Sequence, residues 1–155
     1  MFEGGGAPTA EAVAERAGVS VASLFRYFDT LDELRRHATA HYFERFSDRF
    51  EVPDIGVGPL DLRIATFAAA RVDQYEATSP MARLARSRAY DVGILDATLH
   101  RIRNTAADQI RLHFHEELTA MTPATRQDTV AVVATITSFE SWQQLRDDHD
   151  RGPMQ

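Results

Sequence analysis

The chain has 155 residues, of which 44% are hydrophobic and 26% charged, so it is long enough for one compact core or for a small module joined to a larger one. It has no apolar run near the ~18 residues of a membrane span and no signal-peptide pattern, so a membrane protein is excluded and the cytoplasm is the expected location. It has no cysteine, which excludes thiolate chemistry. The net charge of -6 excludes a protein that coats nucleic acid non-specifically, although it allows a local DNA-reading surface.

Two short helices are predicted near the start of the chain. Thr9 is a capping residue for the first helix, and Gly18 can adopt the positive φ angle that a sharp exit from that helix requires. Ser20 caps the second helix, in which Leu24 and Phe28 are one turn apart and point inward. The spacing predicts a helix-turn-helix, with a polar and aromatic outer face that suits a DNA major groove.

A third helix is predicted to connect this unit to the rest of the chain. Thr30 and Glu33 form a capping-box pattern, so the helix should begin at Leu31, and apolar residues continue at helical spacing to about Phe50. The segment 51–59 contains two prolines and two glycines and is predicted to be a loop.

The second half of the chain shows helical periodicity throughout and no convincing strand. Prolines after capping residues predict helix starts, and Asp91-Val92-Gly93 predicts a helix end. The predicted helices run from Pro59 to about Ala77, from Ser79-Pro80 to about Tyr90, from Ile94 to about Ala120, and from Pro123 to about Asp147. The predicted fold class is therefore all-α.

Residues 9–38, TAEAVAERAGVSVASLFRYFDTLDELRRHA, resemble the DNA-binding signature of the TetR family of bacterial transcriptional repressors. Residues 138–153, SFESWQQLRDDHDRGP, resemble a late helix of the same family. The resemblance implies a homodimer that binds palindromic operator DNA and is released by a small-molecule effector. It also implies a helix-turn-helix DNA-binding domain at 1–46 and a helical domain for ligand binding and dimerisation at 47–155.

The resemblance also implies which side chains contact DNA. Hydroxyls at two helix starts would approach phosphates, residues on the second helix would approach base edges, and two aromatic residues would lie near the backbone. Arg26 is the strongest candidate for a guanine contact. The implied DNA-binding residues are Thr9, Ser20, Val21, Ala22, Ser23, Phe25, Arg26 and Tyr27.

Some positions depart from the family pattern. The first family helix is not evident before Thr9, and the last is not evident after residue 153, so we expect both to be missing from this sequence. The inner residues of the helix-turn-helix would then need cover from another surface. Leu31 stands where the family commonly has a phosphate-binding Lys, Asp29 adds a negative charge, and Ala22-Ser23 replaces a frequent Gly-Thr.

Apolar side chains with an occasional cation suit a small organic ligand, although a helical core is the preferred interpretation for most of these residues. Arg71 is the cation on an otherwise apolar helix side, where it can neutralise an acidic ligand, form a salt bridge or remain solvated. Trp142 is predicted to pack at a helix interface. The candidate ligand-binding residues are Phe67, Arg71, Tyr75, Met81, Leu84, Tyr90, Leu99 and Phe139.

No catalytic residue, metal site or cofactor is predicted. Glu33, His37 and His41 share a helix side but lack a further ligand, and His113 and His115 lie on divergent faces. Without a nucleophile motif or a phosphate loop, an enzyme is not expected. The alternative to a regulator is a helical small-molecule-binding or protein-interaction module with weakened or lost DNA binding.

Overall fold

The computed structural model describes residues 8–88 and 93–152. Within these ranges the chain forms eight α-helices and no strand, which confirms the all-α prediction. None of these helices combines the length and hydrophobicity that a membrane span requires. The helices are α1 (Ala10–Ala17), α2 (Val21–Tyr27), α3 (Leu31–Arg45), α4 (Leu60–Arg88), α5 (Gly93–His113), α6 (His115–Thr119), α7 (Pro123–Ile136) and α8 (Phe139–Asp147), with a 3-10 turn at Ser47–Phe50.

The chain divides into two compact units, Met1–Phe46 and Ser47–Gln155. We call them the head and the bundle. Each has its own packed residues and is described by itself.

Side-chain caps set the helix starts in the head. The hydroxyl oxygen of Thr9 accepts a hydrogen bond from the Ala12 N–H, at 3.3 Å. The corresponding caps are Ser20 for α2, at 3.0 Å from the Ser23 nitrogen, and Thr30 for α3, at 3.1 Å from the Glu33 nitrogen. Gly18 ends α1 with a φ angle of 67°, a conformation that a glycine adopts without steric cost. The predicted caps and the predicted turn are confirmed.

The core of the head is small. Among its described residues the buried apolar side chains are Ala10, Ala14 and Leu24, and Phe28 is only partly buried. The Phe28 ring packs against the ring of His37 on α3, with centroids 5.7 Å apart. Leu24 therefore points inward as predicted, and α3 supplies part of the cover that Phe28 needs.

The bundle has a larger core in which α4, α5 and α7 pack together. Phe67 on α4 is at its centre and contacts the ring of Phe114 edge-on, at 5.6 Å between centroids. Burying such apolar surface is the main favourable term in folding. The buried core residues are Val52, Phe67, Ile110, Leu118 and Val130.

The predicted helix start at Ser79-Pro80 is wrong, because α4 continues through both residues. Pro80 lacks an N–H and so removes one backbone hydrogen bond, but the buried residues before it hold the turn in place. Tyr75 and Thr78 are both buried, and the Thr78 hydroxyl donates to the Gln74 carbonyl oxygen at 2.7 Å. The predicted end at Asp91-Val92 lies outside the described residues.

Three predicted helices are longer than the observed ones. The connecting helix ends at Arg45 and is followed by the 3-10 turn, so its prediction to Phe50 is wrong. The helix from Ile94 is interrupted at Phe114, where Arg63 donates to the His113 carbonyl oxygen at 2.7 Å. The helix from Pro123 is interrupted before Ser138, whose side chain caps α8 by accepting from the Ser141 N–H. In the last two cases a side-chain hydrogen bond lies at the end or the start of a helix.

Candidate functional site

The outer surface of α2 carries exposed aromatic and cationic side chains. Tyr27 is 73% exposed and Phe25 is 42% exposed, an unusual exposure for large rings. The guanidinium carbon of Arg26 is 5.2 Å from the centre of the Tyr27 ring, a cation–π contact. Arg26 therefore lies at the surface of α2 beside an exposed ring.

The hydroxyls at the start of α2 bond to each other. Ser20 caps the helix and also donates its own hydroxyl hydrogen to the Ser23 oxygen, at 3.0 Å. Val21 and Ser23 are partly buried. The other implied DNA-binding residues are exposed, namely Thr9, Ser20, Ala22, Phe25, Arg26 and Tyr27.

The turn between α2 and α3 is acidic. Asp29 is exposed, and its backbone N–H donates to a carboxylate oxygen of Glu33 at 2.7 Å. Asp32 pairs with Arg35 at 2.8 Å, and Leu31 is partly buried. Arg26 is therefore the cation of the α2 surface, with carboxylates on the turn that follows.

A second site lies in the bundle, around the side chain of Arg71. This arginine is only 6% exposed. It donates to the side-chain oxygen of Gln74 at 2.9 Å and to that of Gln109 at 2.6 Å. Its guanidinium carbon is 4.7 Å from the centre of the Phe67 ring. Among the described residues its Nε atom has no acceptor, so the buried cation contacts neutral groups.

Burial is reflected in the pKa values at this site. Removal from water lowers the pKa of Arg71, and the nearby Tyr75 only partly opposes this. Burial likewise raises the pKa of Tyr75, while the charge of Arg71 acts to lower it. Both pKa shifts have the same main cause, because burial disfavours the charged form of each side chain.

Three aromatic side chains form a cluster beside Arg71. Tyr75 is one helical turn after Arg71 and contacts Phe139 edge-on, with ring centroids 5.6 Å apart. Trp142 lies 5.9 Å from Tyr75 and 5.2 Å from Phe139. The Tyr75 hydroxyl donates to the Thr137 carbonyl oxygen at 2.8 Å. The buried indole nitrogen of Trp142 has no acceptor in the described part of the chain.

The candidate ligand-binding residues are thus only partly brought together. Arg71 contacts Phe67, and Tyr75 contacts Phe139, while Leu99 is buried and Met81 and Leu84 are partly buried. Tyr90 lies outside the described residues. Sequence reasoning missed two side chains, Gln74 and Gln109, whereas Trp142 packs between α8 and α4 as predicted. The i, i+3 spacing of Arg71 and Gln74 was a signal for the first.

A third polar cluster joins α4 to the end of α5. Arg63 is 2% exposed, and both of its terminal nitrogens bond to the carboxylate of Glu117. The hydrogen bonds from Arg63 lower the pKa of Glu117. His113 is fully buried, accepts from the Gly56 N–H at 3.1 Å and therefore donates through Nε2 to the Arg63 carbonyl oxygen at 2.8 Å. Among the described residues, the side chains of Arg63 and His113 are therefore engaged within the protein.

Ion pairs join α8 to the two preceding long helices. Glu140 accepts from Arg86 at 3.0 Å and from Arg103 at 2.8 Å. Burial of the Glu140 carboxyl acts to raise its pKa, but the hydrogen bonds from these arginines outweigh it and lower the pKa to about 2. Two further pairs join α8 to α4, between Arg146 and Glu76 and between Asp147 and Arg83. The helix that carries Phe139 and Trp142 is therefore held to α4 by several charges.

Comparison with known proteins finds one family model that is similar to part of the head. Residues 2–38 match the family model of bacterial regulatory proteins of the tetR family. The match covers α1, α2 and the first half of α3. No curated protein and no solved structure matches the chain.

Proposed function

We propose, from the match of residues 2–38 to the family model of bacterial regulatory proteins of the tetR family, that this chain is a cytoplasmic, ligand-responsive transcriptional repressor. In this proposal the helix-turn-helix of the head is the DNA-binding domain. In this proposal a homodimer binds a palindromic operator and is released from it by a small organic effector. The observation that carries the proposal is the exposed Arg26–Tyr27 pair on the capped helix α2.

The proposed DNA contact places α2 in the major groove. Arg26 is the exposed cation there, and a guanidinium donates two parallel hydrogen bonds to the edge of a guanine. Phe25 and Tyr27 would lie near the sugar-phosphate backbone, while Thr9 and Ser20 at the helix starts would approach phosphates. Ala22 lies one turn before Arg26, and its small side chain leaves room for a close approach to the bases.

Two heads are required because each one carries little positive charge. Arg16 and Arg26 are balanced by Glu11 and Glu15 between residues 9 and 28, so phosphate attraction per chain is weak. A homodimer doubles the contacts and would place the two α2 helices about one DNA turn, roughly 34 Å, apart.

The end of the bundle supports the proposed dimer. On α7, Val132 and Ile136 are 58% and 62% exposed and one turn apart, and Leu145 on α8 is 48% exposed. Apolar side chains exposed on two successive helices suit a contact with a second copy of the chain.

The proposed effector binds in the bundle at the Arg71 site. A ligand that binds one arrangement of the dimer more tightly than another shifts the population toward it. Release from DNA would follow if the favoured arrangement does not hold both α2 helices at the half-site spacing.

The test is binding of the protein to DNA from its own promoter, measured by fluorescence anisotropy across a range of salt concentrations. We expect saturable binding of two chains per site, and a loss of about tenfold or more in Arg26→Gln, since a bidentate base contact contributes about 1–3 kcal/mol. Arg111→Gln is the control, because it removes the same charge from an exposed position in the bundle.

Two results would count against the repressor. Absence of a complex at low salt would favour the helical small-molecule-binding or protein-interaction module. Equal losses in Arg26→Gln and Arg111→Gln would show that only overall charge matters, and would remove Arg26 from the proposed interface.

A further inference from the structure

We propose that the effector is an organic acid with an apolar or aromatic body, and that its carboxylate binds Arg71. The inference rests on the proposed effector site and names the chemical class of its ligand. Three observations on the described residues carry it: a buried cation without a described counter-charge, two buried donors without described acceptors, and an aromatic surrounding.

The first observation comes from comparing the two deeply buried arginines of the described residues. Arg63 and Arg71 are 2% and 6% exposed. Arg63 bonds to the carboxylate of Glu117, so its charge is balanced. The side-chain acceptors of Arg71 are the amide oxygens of Gln74 and Gln109. A buried cation that has only neutral partners is costly, and an anion that reaches it removes that cost.

The amide partners hold the Arg71 guanidinium in place without neutralising it. The side-chain nitrogen of Gln109 donates to the Phe50 carbonyl oxygen at 2.6 Å, which leaves the oxygen of the same amide to face Arg71. This orientation fixes two terminal nitrogens of the guanidinium. The Nε edge keeps its hydrogen for another acceptor.

The second observation is that the two buried donors without a described acceptor are close to the same residue. They are Nε of Arg71 and Nε1 of Trp142. Arg71 is one turn before Tyr75 on α4, and the Trp142 ring packs on Tyr75. A carboxylate accepts hydrogen bonds at two oxygens, whereas an ammonium ligand accepts none and is repelled by Arg71.

The third observation concerns the rest of the ligand. The face of Phe67 lies beside the guanidinium, and the rings of Tyr75, Phe139 and Trp142 continue the surface. Aromatic side chains with few polar groups suit an apolar or aromatic ligand body. The same surroundings weaken solvation and so strengthen the attraction between a carboxylate and Arg71.

Trp142 is the single tryptophan of the chain and lies in the cluster, so its fluorescence reports binding directly. The probes are phenylacetate, 4-phenylbutyrate and decanoate, each compared with its neutral amide. We expect at least one acid to change the emission saturably, with a Kd at least tenfold lower than that of its amide. In Arg71→Gln, the affinity for this acid should fall to that of the amide.

Arg111→Gln is the matched control, because it removes one charge from an exposed position in the bundle, and its ion pair with Asp108 lies within α5. It should keep the wild-type preference for the acid. Far-UV circular dichroism of both variants verifies that the helices are intact, and Arg71→Met, which also removes the charge, replaces Arg71→Gln if the latter does not fold.

The inference is overturned if no acid binds more tightly than its amide, or if Arg71→Gln and Arg111→Gln behave alike. The proposed regulation is tested separately by adding the same acid to the protein–DNA complex. An acid that binds through Arg71 without releasing DNA would uphold the inference and contradict the effector mechanism. Release of DNA by a neutral compound, and by none of the acids, would uphold the effector mechanism and contradict the inference.

Discussion

The head and the bundle are stabilised by different kinds of interaction. In the head, the capping hydrogen bonds join residues only three positions apart, as at Ser20 and Ser23. In the bundle, polar contacts join residues far apart in sequence, such as Arg63 and His113, which are separated by 50 positions. The head therefore depends on local geometry, and the bundle depends on buried polar contacts between residues far apart in sequence.

This difference bears on what each unit does. A small core of Ala10, Ala14 and Leu24 contributes little apolar burial, so the head is expected to open more easily than the bundle. A DNA-reading unit tolerates this because bound DNA supplies further contacts. The bundle keeps a buried cation at Arg71, which its many other contacts must offset.

The largest expected effect is in the bundle, for His113→Phe. The substitution keeps the ring volume but leaves the Gly56 N–H and the Arg63 carbonyl without their partner. We expect the free energy of unfolding to fall by about 3 kcal/mol, since each buried unpaired group costs about 1–3 kcal/mol. Urea unfolding followed by Trp142 fluorescence measures this loss.

His115→Phe is the control, because His115 is exposed only two residues later. It should change the free energy of unfolding by less than about 0.5 kcal/mol. Equal effects of the two substitutions would show that the buried hydrogen bonds of His113 do not set the stability of the bundle.

A smaller and more local effect is expected in the head, for Ser20→Ala. Loss of the capping oxygen leaves the Ser23 N–H unpaired at the start of α2 and should cost about 1 kcal/mol. Hydrogen exchange should become faster in α2 and remain unchanged in the bundle.

Ser23→Ala serves as the comparison, because it removes a hydroxyl from the same turn and keeps the cap. Faster exchange throughout the bundle in Ser20→Ala would contradict the view that the head is stabilised locally.

The smallest expected effect is the pH dependence contributed by Glu140. Its pKa in the folded chain is about 2, below the ordinary value of 4.5, so its ionised form stabilises the fold. This contribution is complete above the ordinary pKa and is lost as the pH falls through about 2. The side chain is half-exposed, so solvent screening limits the contribution to about 1 kcal/mol or less.

Acid titration of the free energy of unfolding in wild type and Glu140→Gln tests this expectation. The wild type should be the more stable at pH 6, and the difference should vanish near pH 2. A difference that stays constant over this range would mean that the charge of Glu140 does not contribute.

The sequence was most informative where structure is local. The caps at Thr9, Ser20 and Thr30 and the turn at Gly18 all lie where the pattern predicts them, because each depends on neighbours within a few residues. The inward direction of Leu24 follows from helical spacing in the same way.

Long-range contacts were not predictable from the pattern. Gln109 reaches Arg71 across 38 positions, and Arg63 reaches the end of α5 across 50. Helix breaks that depend on such contacts, as at Phe114, were missed for that reason. Pro80 caused the opposite error, because a helix start was predicted there and the residue lies inside the continuous helix α4.

Pro80 lies between the two places where ion pairs join α8 to α4. The backbone of α4 lacks one hydrogen bond at this residue, which makes it the position where the helix bends most easily. The ion pairs Glu76–Arg146 and Arg83–Asp147 join α8 to α4 on either side of it. A bend of α4 at Pro80 would therefore move the two attachment points of α8 relative to each other.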